Sequence, residues 1–260
     1  MKLFYLAFIF IASVLQGTPM QEFVGLHVPM RKDGKIYIPK DIKHVKLDVG
    51  LSYNAPHSQH WLVREDNLVV FGFEPNVDSI NSIKKGAKKL HPLHGEPLDP
   101  KFVGTRFFVF PCALSSVATG MQTFYVTNND CGCSSLYKPK YFEVAKVVKV
   151  PVFCLSDFFD LFPFDTHPII EYIKIDAQGS DLEIAKGAGK YLRERVVYIT
   201  LEPENGQYEY TANSVKAIDE YMSEIGFTRD HRQNTSDPTY LNAKFADYAK
   251  NNDILIFQRG

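Results

Sequence analysis

The sequence predicts an α/β fold in which a mostly parallel β-sheet is covered by helices. Two short apolar runs early in the chain each end at or next to an acid, and these acids, Asp48 and Glu74, lie 26 residues apart. Apolar runs and amphipathic stretches then alternate to the end of the chain, as in folds built from β-α-β units. Several apolar runs are nearly continuous, which indicates strands that are buried on both faces.

The first half of the chain begins with a short appendage and then enters the sheet. Within residues 21–44, Asp33-Gly34 lies between short apolar runs and predicts a tight β-hairpin turn. Pro56 suits the first position of a helix, because proline lacks an N–H that this position does not need. The elements predicted next are a strand over Val45–Val49, a helix from Pro56, a strand over Val69–Phe73 and a helix over Asp78–Leu90.

The second half contains further strands and two predicted helices. Pro151 limits its strand to a sheet edge or a strand end, because proline cannot donate a ladder hydrogen bond. The predicted strands cover Arg106–Phe110, Met121–Thr127, Val147–Phe153, Ile169–Ile175, Val196–Leu201 and Ile254–Phe257, and the predicted helices cover Ser180–Leu192 and Ser214–Ile225. The alternation predicts ligand binding at the carboxyl ends of the strands.

The acids at the ends of the first two strands indicate a nucleoside ligand. Gly50 allows a tight turn that brings backbone N–H groups close to a ligand, and Glu74 can accept hydrogen bonds from both ribose hydroxyls. A purely structural β-α-β unit has no need of an acid at the tip of its second strand. The alternative is a plain structural repeat with no ligand.

Composition and charge argue for a soluble globular domain and against nucleic acid as a partner. The chain has 260 residues, of which 45% are hydrophobic and 23% charged, and 29 basic residues nearly balance 30 acidic ones. Lysines cluster only at 84, 85, 88 and 89, near a predicted helix C-terminus, where cations favour the helix dipole.

The cysteines and histidines do not form a recognisable metal-binding motif. Cys131 and Cys133 are too closely spaced for an ordinary zinc half-site, and no second cysteine pair complements them. The histidine pairs 57/60 and 91/94 have helical spacing but lack a third ligand. We therefore expect no metal.

The N-terminus suggests export or membrane attachment. Leu3 to Leu15 is an uncharged run of 13 residues behind Lys2, which suits a secretory signal but is short of the roughly 20 residues that span a bilayer. We predict a signal peptide or short signal anchor over 1–20, a β-hairpin appendage over 21–44 and the main domain over 45–260. In an exported chain, Asn234 would be a glycan acceptor, since Thr235-Ser236 follows it.

Several motifs, in order, resemble a known family. Residues 174–188 read KIDAQGSDLEIAKGA, which is similar to the signature KIDVEGxExxVLxGA of FkbM-type methyltransferases. Asp48-Val49-Gly50 and Phe73-Glu74-Pro75-Asn76 resemble the first two motifs of that family. Three segments resemble its middle part: Ala113-Leu114-Ser115, Tyr125-Val126-Thr127-Asn128 and Ser134-Ser135-Leu136. The resemblance covers about residues 45–205.

The resemblance implies a Rossmann-like, mostly parallel seven-stranded sheet that uses S-adenosyl-L-methionine, here joined to a small N-terminal β-appendage. It implies that the loop Asp48–Asn54, with Gly50, holds the methionine part of the cofactor. Glu74 would bind the ribose with Asn76 nearby, and adenine would lie against Cys112-Ala113. Asp176 would stand at the reaction mouth, as a general base or as an orienting group. Asp181 in the next helix is a second catalytic candidate, or a residue that favours the helix dipole.

Two departures from the family pattern bear on activity. Asn54 replaces the second glycine of the cofactor turn, and asparagine is the residue after glycine that best tolerates a left-handed backbone. Gln178 replaces the signature glutamate and lacks its charge. The sequence therefore leaves two functions open. The first is O-methylation of a hydroxyl on a sugar or other small or glycan acceptor. The second is that of a catalytically inactive binding module that is secreted or membrane-tethered.

Overall fold

The computed structural model describes residues 20–90, 95–128, 131–210, 212–231 and 236–256. Ten strands lie within these ranges. In chain order they are β1 (His44–Val49), β2 (Leu68–Phe73), β3 (Phe107–Phe110), β4 (Ala113–Ser115), β5 (Gly120–Thr127), β6 (Val144–Cys154), β7 (Ile170–Ile175), β8 (Val196–Leu201), β9 (Phe227–Arg229) and β10 (Thr239–Asn242).

The central sheet has seven strands in the order β3-β2-β1-β7-β8-β10-β9. The first five strands in this order pair in parallel, and β10 is antiparallel to both of its neighbours. β2, β7 and β8 are buried along their whole length, as expected for strands with helices on both sides. The predicted Rossmann-like α/β fold with a mostly parallel seven-stranded sheet is confirmed.

Helices cover both faces of this sheet. In chain order they are α1 (Met20–Gly25), α2 (Pro56–Leu62), α3 (Val77–Lys85), α4 (Leu155–Leu161), α5 (Asp181–Gly187), α6 (Lys190–Arg195), α7 (Val215–Glu224) and α8 (Ala246–Asn251). α1 and α4 to α7 contribute to the apolar core on one face, and α2, α3 and α8 to the core on the other. Within the described residues, no helix is long and apolar enough to cross a membrane.

A second, three-stranded sheet stands beside the carboxyl ends of the main strands. Its order is β4-β6-β5, and β6 pairs in parallel with β4 and antiparallel with β5. β4 follows β3 closely in the chain, so the small sheet extends from the edge of the large one. This position makes it a wall for any ligand bound at the strand ends.

The segment before β1 holds a short form of the β-hairpin expected over 21–44, preceded by helix α1. Met30 and Ile36 form an antiparallel bridge, and backbone N–H groups of Arg31 and Tyr37 donate to the Lys35 and Pro29 carbonyls, but neither arm is long enough to be a strand. The turn at Gly34 has the left-handed φ of +81° that suits glycine. The Ile36 N–H donates to the Leu161 carbonyl, so the segment also packs against α4. The predicted signal segment lies outside the described residues, except Met20.

Two predicted helices differ from the structure: one ends earlier and the other is divided. Gly86, with a left-handed φ of +81°, stops α3 after Lys85, so the helix does not reach Leu90. Gly189 adopts φ +57° and ψ −138°, a conformation that glycine alone tolerates easily, and it divides the predicted helix 180–192 into α5 and α6. Glycine near a helix end therefore decided both boundaries.

The final strand of the prediction is wrong. Residues 254–256 have no strand conformation, and Phe257 lies outside the described residues. The sheet is completed by β10 and β9, which have four and three residues. Such short segments carry too few residues for an alternating pattern to be visible in the sequence.

Candidate active site

A cavity that is partly open to solvent lies at the carboxyl ends of β1, β2 and β7. One residue after each of these strands lines it: Gly50, Glu74 and Asp176. Ala113 of β4 and Phe124 of β5 form part of the opposite wall. Three strand ends and the small sheet thus enclose a site that could hold a nucleoside.

The turn after β1 requires glycine at its first position. Gly50 has φ +80°, and a Cβ at this position would lie 1.8 Å from the Asp176 carbonyl oxygen. The Asp176 N–H donates to the Val49 carbonyl at 2.9 Å, so the ends of β1 and β7 are tied together. Close approach of two backbones leaves no space for a side chain.

The expectation that Asn54 takes the left-handed conformation of the missing glycine is wrong. The left-handed residues in this turn are Ser52, with φ 55°, and Ala55, with φ 46°. Asn54 instead spans two segments: its Nδ2 donates to the Gly95 carbonyl, and its own carbonyl accepts from Leu98. The turn survives through two other non-glycine residues, each of which costs backbone strain.

Three predicted cofactor-binding residues are not among the described residues that line the cavity: Asp48, Asn54 and Asn76. Asp48 is fully buried, and its Oδ2 accepts from the N–H and, at 2.6 Å, from the hydroxyl of Ser58 in α2. Burial raises the pKa of Asp48 to about 6. The Asn76 side chain caps α3 by accepting from the Asp78 N–H. In this structure these side chains hydrogen-bond the helices and loops next to the cavity rather than face it.

Glu74 lines the cavity and is held in place by backbone donors. Its Oε1 accepts from the Asn76 N–H at 2.8 Å and its Oε2 from the Leu51 N–H at 3.1 Å. Burial raises the pKa of Glu74 to about 7, although these hydrogen bonds favour the ionised form. A carboxylate has about four lone-pair positions, so Glu74 keeps acceptor capacity for ribose hydroxyls.

The opposite wall is apolar. Cys112, Ala113 and Leu114 come from the start of the small sheet, and Phe124 and Leu136 lie across from the central strands. Burial raises the pKa of the Cys112 thiol, which stays protonated and behaves as a small apolar side chain. Such a surface suits the flat faces of an adenine ring, as the resemblance implied for Cys112-Ala113.

Asp176 belongs to a network of charged and amide groups. Lys174 Nζ donates to its Oδ2 at 2.8 Å, and Gln178 Nε2 donates to its Oδ1 at 2.6 Å. Burial raises the pKa of the Asp176 carboxyl, but the Lys174 ammonium and the hydrogen bonds to its oxygens outweigh burial and hold the pKa below its usual range. Asp176 is therefore ionised at neutral pH.

Glu202, after β8, is the protonated partner of Asp176. Burial and the neighbouring charge of Asp176 raise the pKa of Glu202 well above its usual range, and the two side chains are hydrogen-bonded. Gln178 Nε2 also donates to Glu202 Oε2 at 2.7 Å, and Gln178 Oε1 accepts from the Tyr208 hydroxyl at 2.7 Å. The pair of acids thus holds one proton, and Gln178 joins it to Tyr208.

Asp181, the second catalytic candidate, does not line this cavity or the neighbouring one within the described part of the chain. It is fully buried, with Oδ2 accepting from the Ala177 N–H at 3.2 Å and Oδ1 from the Glu202 N–H at 2.9 Å. Burial and the charge of Asp176 raise the pKa of Asp181 to about 7. Its contacts join the loops that follow β7 and β8.

A second cavity adjoins the first at Gln178, which lines both. Polar side chains dominate its lining, and they include Glu202, Glu204, Gln207, Tyr208 and Asp237. Only the fold shows that Glu202, Glu204 and Tyr208 line one cavity. The sequence offered no sign that Gln178 would separate the two spaces.

A cluster of possible metal ligands lies at the other end of the sheet. His44 Nδ1 and carboxylate oxygens of Glu65 and Glu171 lie within 4.8 Å of one another. The buried Lys46 ammonium contacts Glu65, and the Tyr248 hydroxyl donates to Glu171 at 2.8 Å. Lys46 supplies a cation within this cluster, and we assign it no metal.

An open, mostly parallel sheet with a glycine turn after its first strand, an acid after its second and a cavity at these ends defines a nucleoside-binding α/β protein. The family model described as "Methyltransferase FkbM domain" matches residues 64–229, well over half of the chain. The chain belongs to the FkbM methyltransferase family and is an S-adenosylmethionine-dependent methyltransferase. No curated protein sequence matches it significantly.

The residues of the first cavity fit this cofactor. Gly50 gives the close backbone approach, Glu74 offers a carboxylate at the ribose position and Ala113 lies on an apolar wall. Glu74, Ala113, Asp176 and the rest of the far wall lie inside the matched residues, whereas β1 and Gly50 precede them. In the structure, β1 precedes the matched residues in the chain but lies between β2 and β7 in the same sheet. Contacts of individual residues with the cofactor stay predictions.

Proposed function

We propose that the protein methylates a hydroxyl group of a sugar or of another small or glycan acceptor. The observation that carries this proposal is the meeting of two cavities at Gln178, with Asp176 lining the first and Glu202 the second. A cofactor in the first cavity and an acceptor in the second would approach each other beside the ionised Asp176.

The lining of the second cavity supports a hydroxyl-rich acceptor. Carboxyl, amide and phenol groups offer many hydrogen-bond donors and acceptors to a polyol. Lysine and arginine are absent from its lining within the described residues, which favours an uncharged acceptor over a phosphorylated one.

The main task of the protein in methyl transfer is to align the acceptor oxygen with the methyl group. S-adenosylmethionine supplies, when bound, an electrophilic methyl group on a sulfonium. The Asp176 carboxylate would accept a hydrogen bond from the acceptor hydroxyl and so orient its oxygen. The low pKa of Asp176 makes it a poor base for an unreacted alcohol. A methylated oxygen that still bears its proton is strongly acidic, so Asp176 can take the proton once the new C–O bond forms.

The test is transfer of tritium from methyl-labelled S-adenosylmethionine to a panel of neutral glycosides and glycans by the full chain. Asp176→Asn keeps the shape but removes the charge, and we expect it to lower kcat by about 10²–10³-fold. S-adenosylhomocysteine affinity should change by less than about threefold in this variant. Unchanged kcat in Asp176→Asn would refute the orienting role.

The competing function is a catalytically inactive binding module on the methyltransferase fold, secreted or membrane-tethered. The non-glycine residues in the cofactor turn, Ser52 and Ala55, favour it because they strain the loop. It predicts S-adenosylhomocysteine binding together with no label on any hydroxyl acceptor. Label on an acceptor hydroxyl excludes it.

We also propose that the N-terminal segment sends the chain into the secretory pathway or anchors it to a membrane. The uncharged run from Leu3 to Leu15 supports this proposal. A signal anchor that leaves the domain on the cytosolic side would keep it in contact with the cytosolic cofactor. Glycosidase treatment distinguishes the two orientations: a mobility shift that Asn234→Gln abolishes indicates a lumenal or secreted domain.

A further inference from the structure

Ser180 is a buried hydroxyl that the fold of the protein does not use. It lines the cofactor cavity, its side chain is 2% exposed, and its Oγ has no hydrogen-bond partner among the described residues. Leaving a buried hydroxyl unpaired costs free energy, so such groups in folded proteins call for a reason.

The ordinary reason for a serine at this position does not apply. Ser180 is the N-cap residue of α5, where a serine side chain usually accepts a hydrogen bond from one of the first helical N–H groups. Its side chain makes no such bond. Asn213 Oδ1 instead accepts from the Leu182 N–H at 2.8 Å. Another residue has therefore taken over part of the capping, and the hydroxyl of Ser180, a residue that lines the cavity, is left buried and unpaired.

We propose that the Ser180 hydroxyl hydrogen-bonds a polar group of the bound cofactor and is a positioning residue for it. A hydroxyl can both donate and accept, so it can serve either a carboxylate or an amine of the ligand. This inference rests on the assignment of the cavity to S-adenosylmethionine and goes beyond it, because neither the signature nor the strand-end pattern points to Ser180.

Ser134 provides a matched comparison in the same cavity. It also lines the wall and is 9% exposed, but its Oγ accepts from the Thr127 N–H at 3.1 Å. The two serines differ mainly in that one hydroxyl is used by the protein and the other is not. Ser→Ala at the two positions should therefore affect stability differently.

The experiment combines calorimetric titration of S-adenosylhomocysteine with thermal unfolding of the ligand-free full chain. For Ser180→Ala we expect affinity about tenfold weaker, which corresponds to about 1.4 kcal/mol, and an unchanged or higher Tm without ligand. For Ser134→Ala we expect a lower Tm without ligand, because its hydroxyl accepts from the Thr127 N–H. Weaker affinity without a lower Tm, in Ser180→Ala, is the signature of a hydroxyl that serves the ligand.

Three outcomes would overturn the proposal. Unchanged affinity in Ser180→Ala would show that the cofactor does not use the hydroxyl. A lower Tm in that variant without ligand would assign Ser180 a structural role. Absence of S-adenosylhomocysteine binding by the well-folded natural chain would remove the cofactor assignment of the cavity itself, and this result is distinct from the first two.

Discussion

The side-chain nitrogen of Gln178 lies 2.6 Å from Asp176 Oδ1 and donates a hydrogen bond to it. The same nitrogen donates to Glu202 Oε2 at 2.7 Å, so one amide serves both acids. A glutamate, which the family signature has at this position, lacks the two N–H groups needed for both contacts. Gln178 is therefore matched to the acid pair of this chain, and its lack of charge is no defect here.

Gln178→Glu should destabilise the protein at alkaline pH. The substitution removes two donated hydrogen bonds and places a third carboxyl group beside Asp176 and Glu202. We expect a loss of about 1–3 kcal/mol in the free energy of unfolding at pH 8. The loss should shrink toward pH 5, because a protonated glutamate can donate one of the bonds again. Urea unfolding over this pH range measures it.

Gln178→Met is the control, since it keeps the length of the side chain without charge or hydrogen bonds. Because methionine does not titrate, the stability lost in Gln178→Met should be about the same at pH 5 and pH 8. Equal stability of Gln178→Glu and the natural chain at pH 8 would contradict the matching of Gln178 to the acid pair.

Gly50→Ala should abolish cofactor binding. The added Cβ would lie 1.8 Å from the Asp176 carbonyl oxygen, and the left-handed φ of +80° strains any other residue. One of the two strand ends must move, which distorts the turn and the start of the Asp176 loop. We expect a loss of about 2–4 kcal/mol in unfolding free energy and no S-adenosylhomocysteine binding by calorimetry.

Gly104→Ala separates the clash from the backbone strain. Gly104 has a similar φ of +76°, and nothing lies within 4 Å of a Cβ built there. This variant should lose only about 1 kcal/mol and keep its cofactor affinity. Equal effects of the two substitutions would mean that the contact between Gly50 and Asp176 does not determine the turn.

The sequence predicted the strand-end residues of the site because their placement follows from topology. Parallel strands present their carboxyl ends at one edge of the sheet, so residues that follow β1, β2 and β7 must come together. Gly50, Glu74 and Asp176 do so, and the long buried strands were visible as apolar runs. These features depend on local pattern and on one general rule of α/β folds.

Other features depend on contacts between distant segments, which no local pattern records. Asp181 looked like an active-site acid, but the Ala177 and Glu202 N–H groups occupy its oxygens. Asn54 looked like a turn residue, but it holds the distant Gly95 segment. Ser180 begins a predicted helix, and only the structure shows that its side chain does not cap this helix and that Asn213 binds the Leu182 N–H instead. A side chain's partner, rather than its type, decides each role.

Glu74 should make the ligand-free protein less stable as the pH rises. Its pKa is about 7 in the folded protein against an ordinary value of 4.5, so the folded state binds the proton more tightly. From about pH 4.5 to 7 the unfolded chain releases this proton first, and stability falls by about 1.4 kcal/mol per pH unit at most. Glu74→Gln should remove this part of the slope, which urea unfolding at several pH values measures.

The same ionisation should control cofactor affinity in the opposite direction. Ionised Glu74 can accept from both ribose hydroxyls, whereas the protonated form has one oxygen occupied by its proton. With a pKa of about 7, the ionised fraction and hence S-adenosylhomocysteine affinity should rise about tenfold from pH 6 to pH 8. Glu74→Gln should bind more weakly and without this rise. An equal rise in the variant would assign the pH dependence to another group.

Asp181→Ala decides whether this residue is structural or catalytic. Its carboxylate joins the loops after β7 and β8 by accepting from two backbone N–H groups, and alanine leaves both without their partner. We expect a loss of about 2–4 kcal/mol in unfolding free energy, measured in urea. Asp157→Ala is the comparison, since Asp157 accepts one N–H, from Cys154, at the edge of a helix, and its loss should cost about 1 kcal/mol. Asp181→Ala that keeps its stability to within 1 kcal/mol but loses methyl transfer would establish the catalytic role that the sequence suggested.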